Sequence, residues 1–325
     1  MTTTPHLILT AGDPAGIGPE ILLRLAGDPP EGVRLTFVVE PRALETLRGT
    51  VPDRCFHRLD HDEHLQRLDP GAGQPWSERT IVPGAPSGGD AHASLAALDL
   101  GAATVRNGEA DALVTAPLSK AEIARHVAPD FRGHTDYLAQ QAGLERYGRD
   151  YLMAFLAPGL RVALLSTHLP LREAIDRVTA ANIEDALRCM ARHASGPIAV
   201  AALDPHAGEG GLLGTADDSI IRPAVDRLRA EGLDVHGPSS ADSLFARAQR
   251  GAFRWVLALY HDQGLIAVKT AAFGDATNWT LGLPYLRTSV DHGTAYDIAG
   301  RGEADASSLF AVVETTLELI AERGH

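Results

Sequence analysis

Short apolar segments that end in glycine-, proline- and aspartate-rich turns recur along the chain, and most are followed by segments with helical spacing. The first such unit runs from an apolar segment at 7–9, through a turn at 10–18, to a helix predicted over 19–25. Pro19 suits the first turn of that helix, where the N–H that it lacks would have no intrahelical partner. Strands that alternate with helices in this way predict an α/β fold with a mainly parallel sheet.

The same pattern predicts most of the remaining secondary structure. Further strands are predicted over residues 34–39, 112–115, 151–156, 161–165, 198–203 and 253–260. Further helices are predicted over residues 41–47, 93–105, 180–193, 219–231 and 306–322. Ser119 follows the strand at 112–115 and is expected to cap the next helix. Residues 58–90 are polar and rich in Pro, Gly and Asp, which predicts mostly irregular structure there.

Composition limits the classes of function. The formal net charge of −13 disfavours non-specific binding to nucleic acid or to an anionic membrane, so an anionic substrate must be met by local cations. Two cysteines without a CxxC motif fit a reducing compartment, and no segment approaches the ~18 apolar residues of a membrane span. The segment from Met1 to His6 lacks the features of a signal peptide. We therefore expect a cytoplasmic enzyme.

Three histidines share one sequence context. His168, His206 and His261 each follow an apolar predicted strand and lie in loops rich in Pro, Gly or Asp. Ligands bind at the carboxyl ends of strands in parallel α/β folds, and three neutral imidazoles from separate loops suit Zn²⁺ or a similar ion. Each could equally be an ordinary loop histidine. Asp262 is either a group that orients an imidazole or a cap at the strand end.

A second set of polar residues suits an anion. A helix is predicted to begin near Thr135 and Asp136, where backbone N–H groups favour a phosphate, although either residue could be a simple helix cap. Three further residues could complete an anion pocket or could be solvated surface groups: Lys269, Asn278 and Arg287.

Neither glycine run matches the dinucleotide-binding fingerprint G-x-G-x-x-G. In the run that starts at Gly208, Leu213 occupies the last glycine position, and Gly16-Ile17-Gly18 also lacks the third glycine. A dinucleotide would therefore have to bind in another way.

Seven motifs together resemble the 4-hydroxythreonine-4-phosphate dehydrogenase family of vitamin B6 biosynthesis. They occur in the family's order between about Thr10 and Ser308, and none lies in residues 58–90. The motifs are Gly16-Ile17-Gly18-Pro19-Glu20, Thr115-Ala116-Pro117-x-x-Lys120, Gly133-His134-Thr135, Thr167-His168-x-Pro170-Leu171-Arg172, Pro205-His206-Ala207-Gly208-Glu209, Tyr260-His261-Asp262-Gln263-Gly264 and Thr288-Ser289-Val290-Asp291-His292-Gly293-Thr294-Ala295.

The resemblance implies a fold and a reaction. The expected fold is like that of isopropylmalate dehydrogenase, an α/β class with two α/β/α domains and an active-site cleft between them. Residues 1–130 with 285–325 would form the cofactor side, and residues 131–284 the metal, substrate and dimer side. The expected reaction is NAD-dependent oxidation of 4-phosphooxy-L-threonine with loss of CO₂ to give 3-amino-2-oxopropyl phosphate, with NADP as the less favoured cofactor.

The resemblance also implies roles for the metal-site residues. His168, His206 and His261 would bind one divalent ion (Zn²⁺, Mg²⁺ or Co²⁺), with ligands shared across a homodimer. The ion would acidify the substrate hydroxyl, and either Lys269 or Asp262 would take the proton.

Substrate and cofactor contacts follow from the same resemblance. The expected substrate contacts are His134, Thr135, Lys269, Asn278 and Arg287. A loop that wraps the adenosine end of NAD in isocitrate and isopropylmalate dehydrogenases is matched at His292, Gly293, Thr294, Ala295 and Asp297.

One departure and several alternatives bear on the substrate. Asp204 stands where many family members carry Asn, and its carboxylate would either change the charge near the metal or form a surface pair. Relatives that oxidise 4-phospho-D-threonate or 4-phospho-D-erythronate are the main alternative. A dihydrodiol-oxidising branch is disfavoured because it lacks the His134-Thr135 pair. A metal-dependent hydrolase or lyase, and a non-catalytic metal-binding protein, are alternatives from other classes.

Overall fold

The computed structural model describes residues 4–272 and 274–323 of the 325-residue chain, so the first three residues of the segment from Met1 to His6 lie outside it. The chain divides into two compact units, Met1–Leu138 with Pro284–His325 and Ala139–Leu283. These limits lie near the predicted domain boundaries, while the predicted roles of the two domains stay predictions. Within the described ranges, no helix is long and apolar enough to cross a membrane.

The strands of the described residues are short and mostly buried. They are β1 (His6–Thr10), β2 (Arg34–Val38), β3 (Leu65–Leu68), β4 (Ala112–Thr115), β5 (Leu152–Ala157), β6 (Leu160–Leu164), β7 (Ile198–Ala201), β8 (Val235–Ser239), β9 (Trp255–Ala258), β10 (Thr277–Leu281) and β11 (Leu286–Ser289).

The helices alternate with these strands along most of the chain. They are α1 (Gly18–Gly27), α2 (Pro41–Glu45), α3 (Asp53–His61), α4 (Gly88–Arg106), α5 (Lys120–His126), α6 (His134–Gln141), α7 (Leu171–Asp176), α8 (Ala180–His193), α9 (Arg222–Ala230), α10 (Ala241–Gln249), α11 (His261–Ala272) and α12 (Ser307–Arg323).

The first unit contains a parallel sheet in the order β3-β2-β1-β4-β11. Every residue of β1 and β4 is buried, as expected for strands of a parallel sheet that is covered on both faces. Ser87 and Asp90 form a capping box at the start of α4. Ser119 caps α5 by accepting a hydrogen bond from the Glu122 N–H, which confirms the predicted cap.

The second unit contains the strand order β10-β5-β6-β9-β7-β8. β5 pairs antiparallel with both β10 and β6, whereas β6, β9, β7 and β8 run parallel to one another. A core of apolar side chains from β6, β9, α10 and α11 includes Leu164, Leu244, Val256 and Leu265. The expectation of an α/β fold with mainly parallel strands is confirmed.

The prediction that residues 58–90 are mostly irregular is confirmed, but it missed the short elements within them. These are the end of α3, strand β3 and a short 3₁₀ helix at Pro75–Glu78. β3 is an edge strand with three of its four residues exposed, so it has no apolar alternation to reveal it. α11 was also missed, because Gly264 lowers the helical signal.

Candidate functional site

The three candidate histidines follow three strands that lie side by side in the second unit. β9 pairs in parallel with β6 on one side and β7 on the other. His168, His261 and His206 come shortly after β6, β9 and β7, respectively. Neighbouring strands lie about 4.8 Å apart, so the three loops begin within roughly 10 Å of one another. The prediction that these histidines follow strand ends is confirmed.

The rings of His168 and His261 fit a shared metal ion. Their centroids lie 5.4 Å apart with an interplanar angle of 43°. Two imidazoles on one tetrahedral Zn²⁺, with Zn–N bonds of about 2.1 Å, place their ring centroids about 5 Å apart. The His261 Nδ1 atom lies 2.7 Å from the Asp262 carboxylate, which fixes the ring and leaves Nε2 as the nitrogen for a metal. Asp262 therefore acts on His261.

His206 lies in a strained segment. Residues 206–210 all adopt left-handed backbone angles, with φ of 53° at His206 and 45° at Glu209. This conformation costs about 1–2 kcal/mol for each residue other than glycine. The buried carboxylate of Asp217 holds the start of the segment by accepting hydrogen bonds from the N–H groups of Leu203 (2.9 Å) and Asp204 (2.8 Å). Such strain is typical of functional loops.

The structure does not bring all three histidines into one metal site. Within residues 4–272 and 274–323, no three His, Cys, Asp or Glu side chains come together as metal ligands. His206 is exposed and lies near Asp242, whose pKa is lowered chiefly by the hydrogen bond from Ser240 and to a smaller extent by His206. A single chain therefore presents the His168–His261 pair, and the complete three-histidine site stays a prediction.

The Asp204 carboxylate packs inside its own loop. A Cβ atom at Gly214 would lie 2.0 Å from Asp204 Oδ2, so the absence of a side chain at Gly214 makes room for the carboxylate. This contact gives Asp204 a structural role within the loop that carries His206.

A buried serine and a half-buried glutamine connect the histidine-bearing loops. The Ser166 hydroxyl donates to the Leu259 carbonyl over 2.9 Å. Gln263 accepts from the Leu259 N–H over 2.7 Å and donates to the Ala202 carbonyl over 2.8 Å. Ser166 thus ties the ends of β6 and β9, and Gln263 ties those of β9 and β7. Sequence reasoning missed both roles; the only signal was their position beside His168 and His261.

The second unit also carries Lys269 and Asn278. Lys269 is exposed on α11, about 12 Å along the helix axis from His261. His261 and Lys269 line an open groove of about 440 Å³. The other residues that line it are Asp262, Leu265, Ile266 and Thr270. Asn278 lies on β10, and its Oδ1 atom is buried without a hydrogen-bond partner in the described part of the chain. The structure thus brings Lys269, Asp262 and His261 to one groove.

The other predicted substrate contacts lie in the first unit. Arg287 on β11 is 1% exposed, and its guanidinium donates to the Thr115 hydroxyl over 2.5 Å. Burial lowers the pKa of Arg287 to about 9, so it remains cationic at neutral pH. Thr135 is 7% exposed and lies in the first turn of α6. Because α6 begins at His134, neither Thr135 nor Asp136 is the residue that caps it.

His134 is a neutral imidazole among positive charges. Burial lowers its pKa well below the ordinary value, and the charges of Arg287 and Lys120 lower it further. A hydrogen bond with the Ala116 backbone opposes this shift. The Nε2 atom is buried and has no hydrogen-bond partner among the residues described, so the Ala116 contact is made through Nδ1. Nε2 is thus available to a bound molecule.

The predicted cofactor loop packs on the first turn of the chain. The Ile17 N–H donates to the Thr294 carbonyl over 3.0 Å, and the Tyr296 hydroxyl donates to the buried Asp13 carboxylate over 2.5 Å. Burial is the main cause that raises the pKa of Asp13. Ala295 has a left-handed φ of 44°, which this packing maintains. His292, Gly293 and Asp297 are exposed, so they are accessible to a cofactor.

In the second unit, three histidines follow the ends of adjacent parallel strands. In the first unit, the buried cation Arg287 acts on His134, the first residue of α6. Each feature is typical of a broad class of enzymes that act on small anions. Comparison with known proteins narrows this class. Residues 36–316 match the family described as pyridoxal phosphate biosynthetic protein PdxA. The chain belongs to this family, and the resemblance found in the sequence is confirmed.

Individual relatives agree with this assignment. A 4-hydroxythreonine-4-phosphate dehydrogenase of Acidithiobacillus ferrooxidans is 42% identical over 99% of this chain and 98% of its own length. The crystal structure of the Klebsiella pneumoniae enzyme of that name has a TM-score of 0.81 and 30% identity, covering 97% of this chain and 99% of that one. A terephthalate 1,2-cis-dihydrodiol dehydrogenase of Burkholderia xenovorans is more distant. Its structure has a TM-score of 0.65 and 26% identity, and the match covers 96% of this chain and 97% of that one.

Proposed function

We propose that the protein is an NAD-dependent dehydrogenase that oxidises and decarboxylates 4-phosphooxy-L-threonine to 3-amino-2-oxopropyl phosphate, in pyridoxal phosphate biosynthesis. The observation that carries the proposal is the pair of His168 and His261, with ring centroids 5.4 Å apart, beside the groove that His261 and Lys269 line. Family membership and the relatives' names support the substrate. The dihydrodiol relative is less similar in sequence and structure, which favours a phosphorylated substrate.

The residues support a division of roles. NAD⁺, when bound, would supply the acceptor for the hydride of the substrate C–H bond, and the hydroxyl proton would pass to a base. We assign that base to Lys269, because Asp262 is engaged with His261. The resulting β-keto acid loses CO₂, and protonation of the remaining carbon gives the product. A divalent ion held by His168, His206 and His261 would act as a Lewis acid on the substrate oxygen.

A homodimer would complete the metal site. Six exposed apolar side chains of the second unit lie in the segments that carry the three histidines: Leu169, Leu171, Ile175, Leu212, Leu213 and Ile266. Large apolar side chains left exposed to solvent are typical of protein interfaces when they form a contiguous patch. We propose that two copies associate through these segments and share ligands for the ion.

The cofactor assignment rests on the exposed loop residues. His292, Gly293, Thr294, Ala295 and Asp297 would contact the adenosine end of NAD, held in place by the contact between Tyr296 and Asp13. NADP is the alternative cofactor.

A nicotinamide absorbance assay tests the proposal. The full-length protein is assayed with 4-phosphooxy-L-threonine before and after chelation, and then with Mg²⁺, Co²⁺ or Zn²⁺ added back. We expect NAD reduction that chelation abolishes and one of these ions restores. The same assay with 4-phospho-D-erythronate and 4-phospho-D-threonate is the control for substrate class. Turnover of these sugar acids alone would contradict the assigned substrate, and product formation without NAD reduction would contradict a dehydrogenase.

A further inference from the structure

Lysine is almost absent from this chain. Of its 29 basic residues, 27 are Arg, and the only lysines are Lys120 and Lys269. A cation that serves only solubility would be expected to be Arg here, as it is at the other positions. Lys is a compact point charge, whereas Arg presents a wide planar fork. Lys269 already belongs to the candidate site. We therefore expect the other lysine, Lys120, to serve a function that Arg could not.

Lys120 lies beside the N-terminus of α6. A Cβ atom at Gly133 would lie 3.0 Å from Lys120 Cε and 3.5 Å from its Nζ atom, so the ammonium group passes directly over this glycine. Gly133 immediately precedes α6, whose first backbone N–H groups have no partner within the helix. The bare glycine leaves room for the narrow end of a lysine side chain.

Lys120 also shares its surroundings with Arg287 and His134. The charges of both Lys120 and Arg287 lower the pKa of His134, which places the two cations near one imidazole. Because His134 is neutral, the cluster carries two positive charges. The buried Nε2 atom of His134 has no hydrogen-bond partner in the described residues, so it is a further polar group that a ligand could engage.

We propose that Lys120 binds the phosphate group of the substrate, together with Arg287, at the N-terminal end of α6. Two cations match the charge of a phosphate dianion, whereas a carboxylate would leave one of them unbalanced. The N-terminus of a helix adds N–H donors that favour the same ligand. The inference rests on the proposed function, since it takes the substrate to be phosphorylated.

The first test measures binding of inorganic phosphate to the full-length protein by titration calorimetry. Lys120→Met removes the charge and keeps a similar apolar stem. We expect it to weaken phosphate binding by about 10- to 100-fold, as for loss of a charged hydrogen bond. Arg125→Met is the matched control, because Arg125 is exposed on the same helix and pairs with Glu122. Equal affinity of Lys120→Met and wild type, or no phosphate binding by the wild type, would overturn the proposal.

The second test separates phosphate from carboxylate. We expect Lys120→Met to lower kcat/KM for 4-phosphooxy-L-threonine by a similar factor, and to leave kcat/KM for unphosphorylated 4-hydroxythreonine unchanged. Equal losses on the two substrates would place Lys120 on another group and overturn the assignment. If neither substrate is oxidised, the proposed function fails, while the phosphate titration still decides the role of Lys120.

Discussion

At the scale of single residues, the position of one carboxylate decides how His261 can act. Asp262 contacts His261 Nδ1 at 2.7 Å, which leaves Nε2 for an ion. Asp262→Asn should weaken Zn²⁺ or Co²⁺ binding by about 10- to 100-fold, the usual effect of losing a group that orients a ligand. Titration calorimetry measures this affinity. Asp275→Asn, an exposed position just beyond α11, should bind the ion as the wild type does. Equal affinities for all three proteins would contradict the orienting role.

His134 should make stability depend on pH. Burial and two nearby cations lower its pKa in the folded protein, so the unfolded chain binds the proton more readily. Its contribution to stability is therefore fully present above the unfolded pKa of about 6.5 and is lost as the pH falls below that value. Urea titrations at pH values of about 7.5 and 5 measure this loss. As the pH falls between these values, the free energy of unfolding should decrease less in His134→Asn than in the wild type.

Two features of that experiment identify the residue responsible. His6 is also buried with a lowered pKa, so the wild-type slope is not due to His134 alone. His64 is exposed, and His64→Asn should keep the full wild-type slope. An unchanged slope in His134→Asn would show that His134 does not titrate in this way.

The residue scale also shows what the sequence could reveal of the site. His168, His206 and His261 were identifiable because each follows an apolar segment, a pattern visible in a short stretch of sequence. Ser166 and Gln263 were missed, because each binds a backbone carbonyl that any residue could supply. Lys120 was part of a recognised motif, but its position over Gly133 is a tertiary contact between separate segments, which no local pattern reveals.

At the scale of elements, a buried ion triad fixes the segment that was expected to be irregular. Arg79 pairs with Glu40 and Asp90 at 2.7 Å each, and these carboxylates are 4% and 1% exposed. Removing the Arg79 cation would leave the buried carboxylates of Glu40 and Asp90 without their positive partner. Arg79→Met should therefore lower the free energy of unfolding by about 3–5 kcal/mol in urea titrations.

Arg42 offers the matched comparison for Arg79. It pairs with Glu78 on the surface, where its side chain is 49% exposed. Because exposed ion pairs contribute little, Arg42→Met should cost less than about 1 kcal/mol. Similar losses in the two variants would contradict a special role for the buried triad.

Elements with a strong internal pattern were predicted well, and those defined by their neighbours were not. α4 and α8 have small or apolar residues at helical spacing; α8 was predicted with its observed limits, whereas α4 was predicted to begin at 93, five residues after its observed start at Gly88. α11 contains Gly264, where a Cβ atom would lie 2.8 Å from Leu164 and 3.0 Å from Ala258. This glycine permits close packing of α11 on the sheet, a requirement that no local sequence pattern expresses.

At the scale of the whole molecule, the three histidine-bearing segments predict association of two copies. Leu212 is 80% exposed directly after the strained turn that carries His206. Leu212→Glu would place a charge in the proposed apolar interface, and we expect the dissociation constant of the dimer to rise by at least about 10-fold. Analytical ultracentrifugation measures this change. Val82→Glu is the control, because Val82 is 50% exposed in the first unit and should leave the dimer intact.

The same pair of variants tests whether the dimer completes the metal site. A single chain presents His168 and His261 as a pair, without a third ligand in place among the residues described. If ligands are shared between copies, Leu212→Glu should lose ion affinity in parallel with dimerisation, while Val82→Glu keeps both. Circular dichroism would establish that each variant remains folded. Full ion affinity in a monomeric Leu212→Glu protein would show that one chain suffices, and a monomeric wild type would rule out the dimer itself.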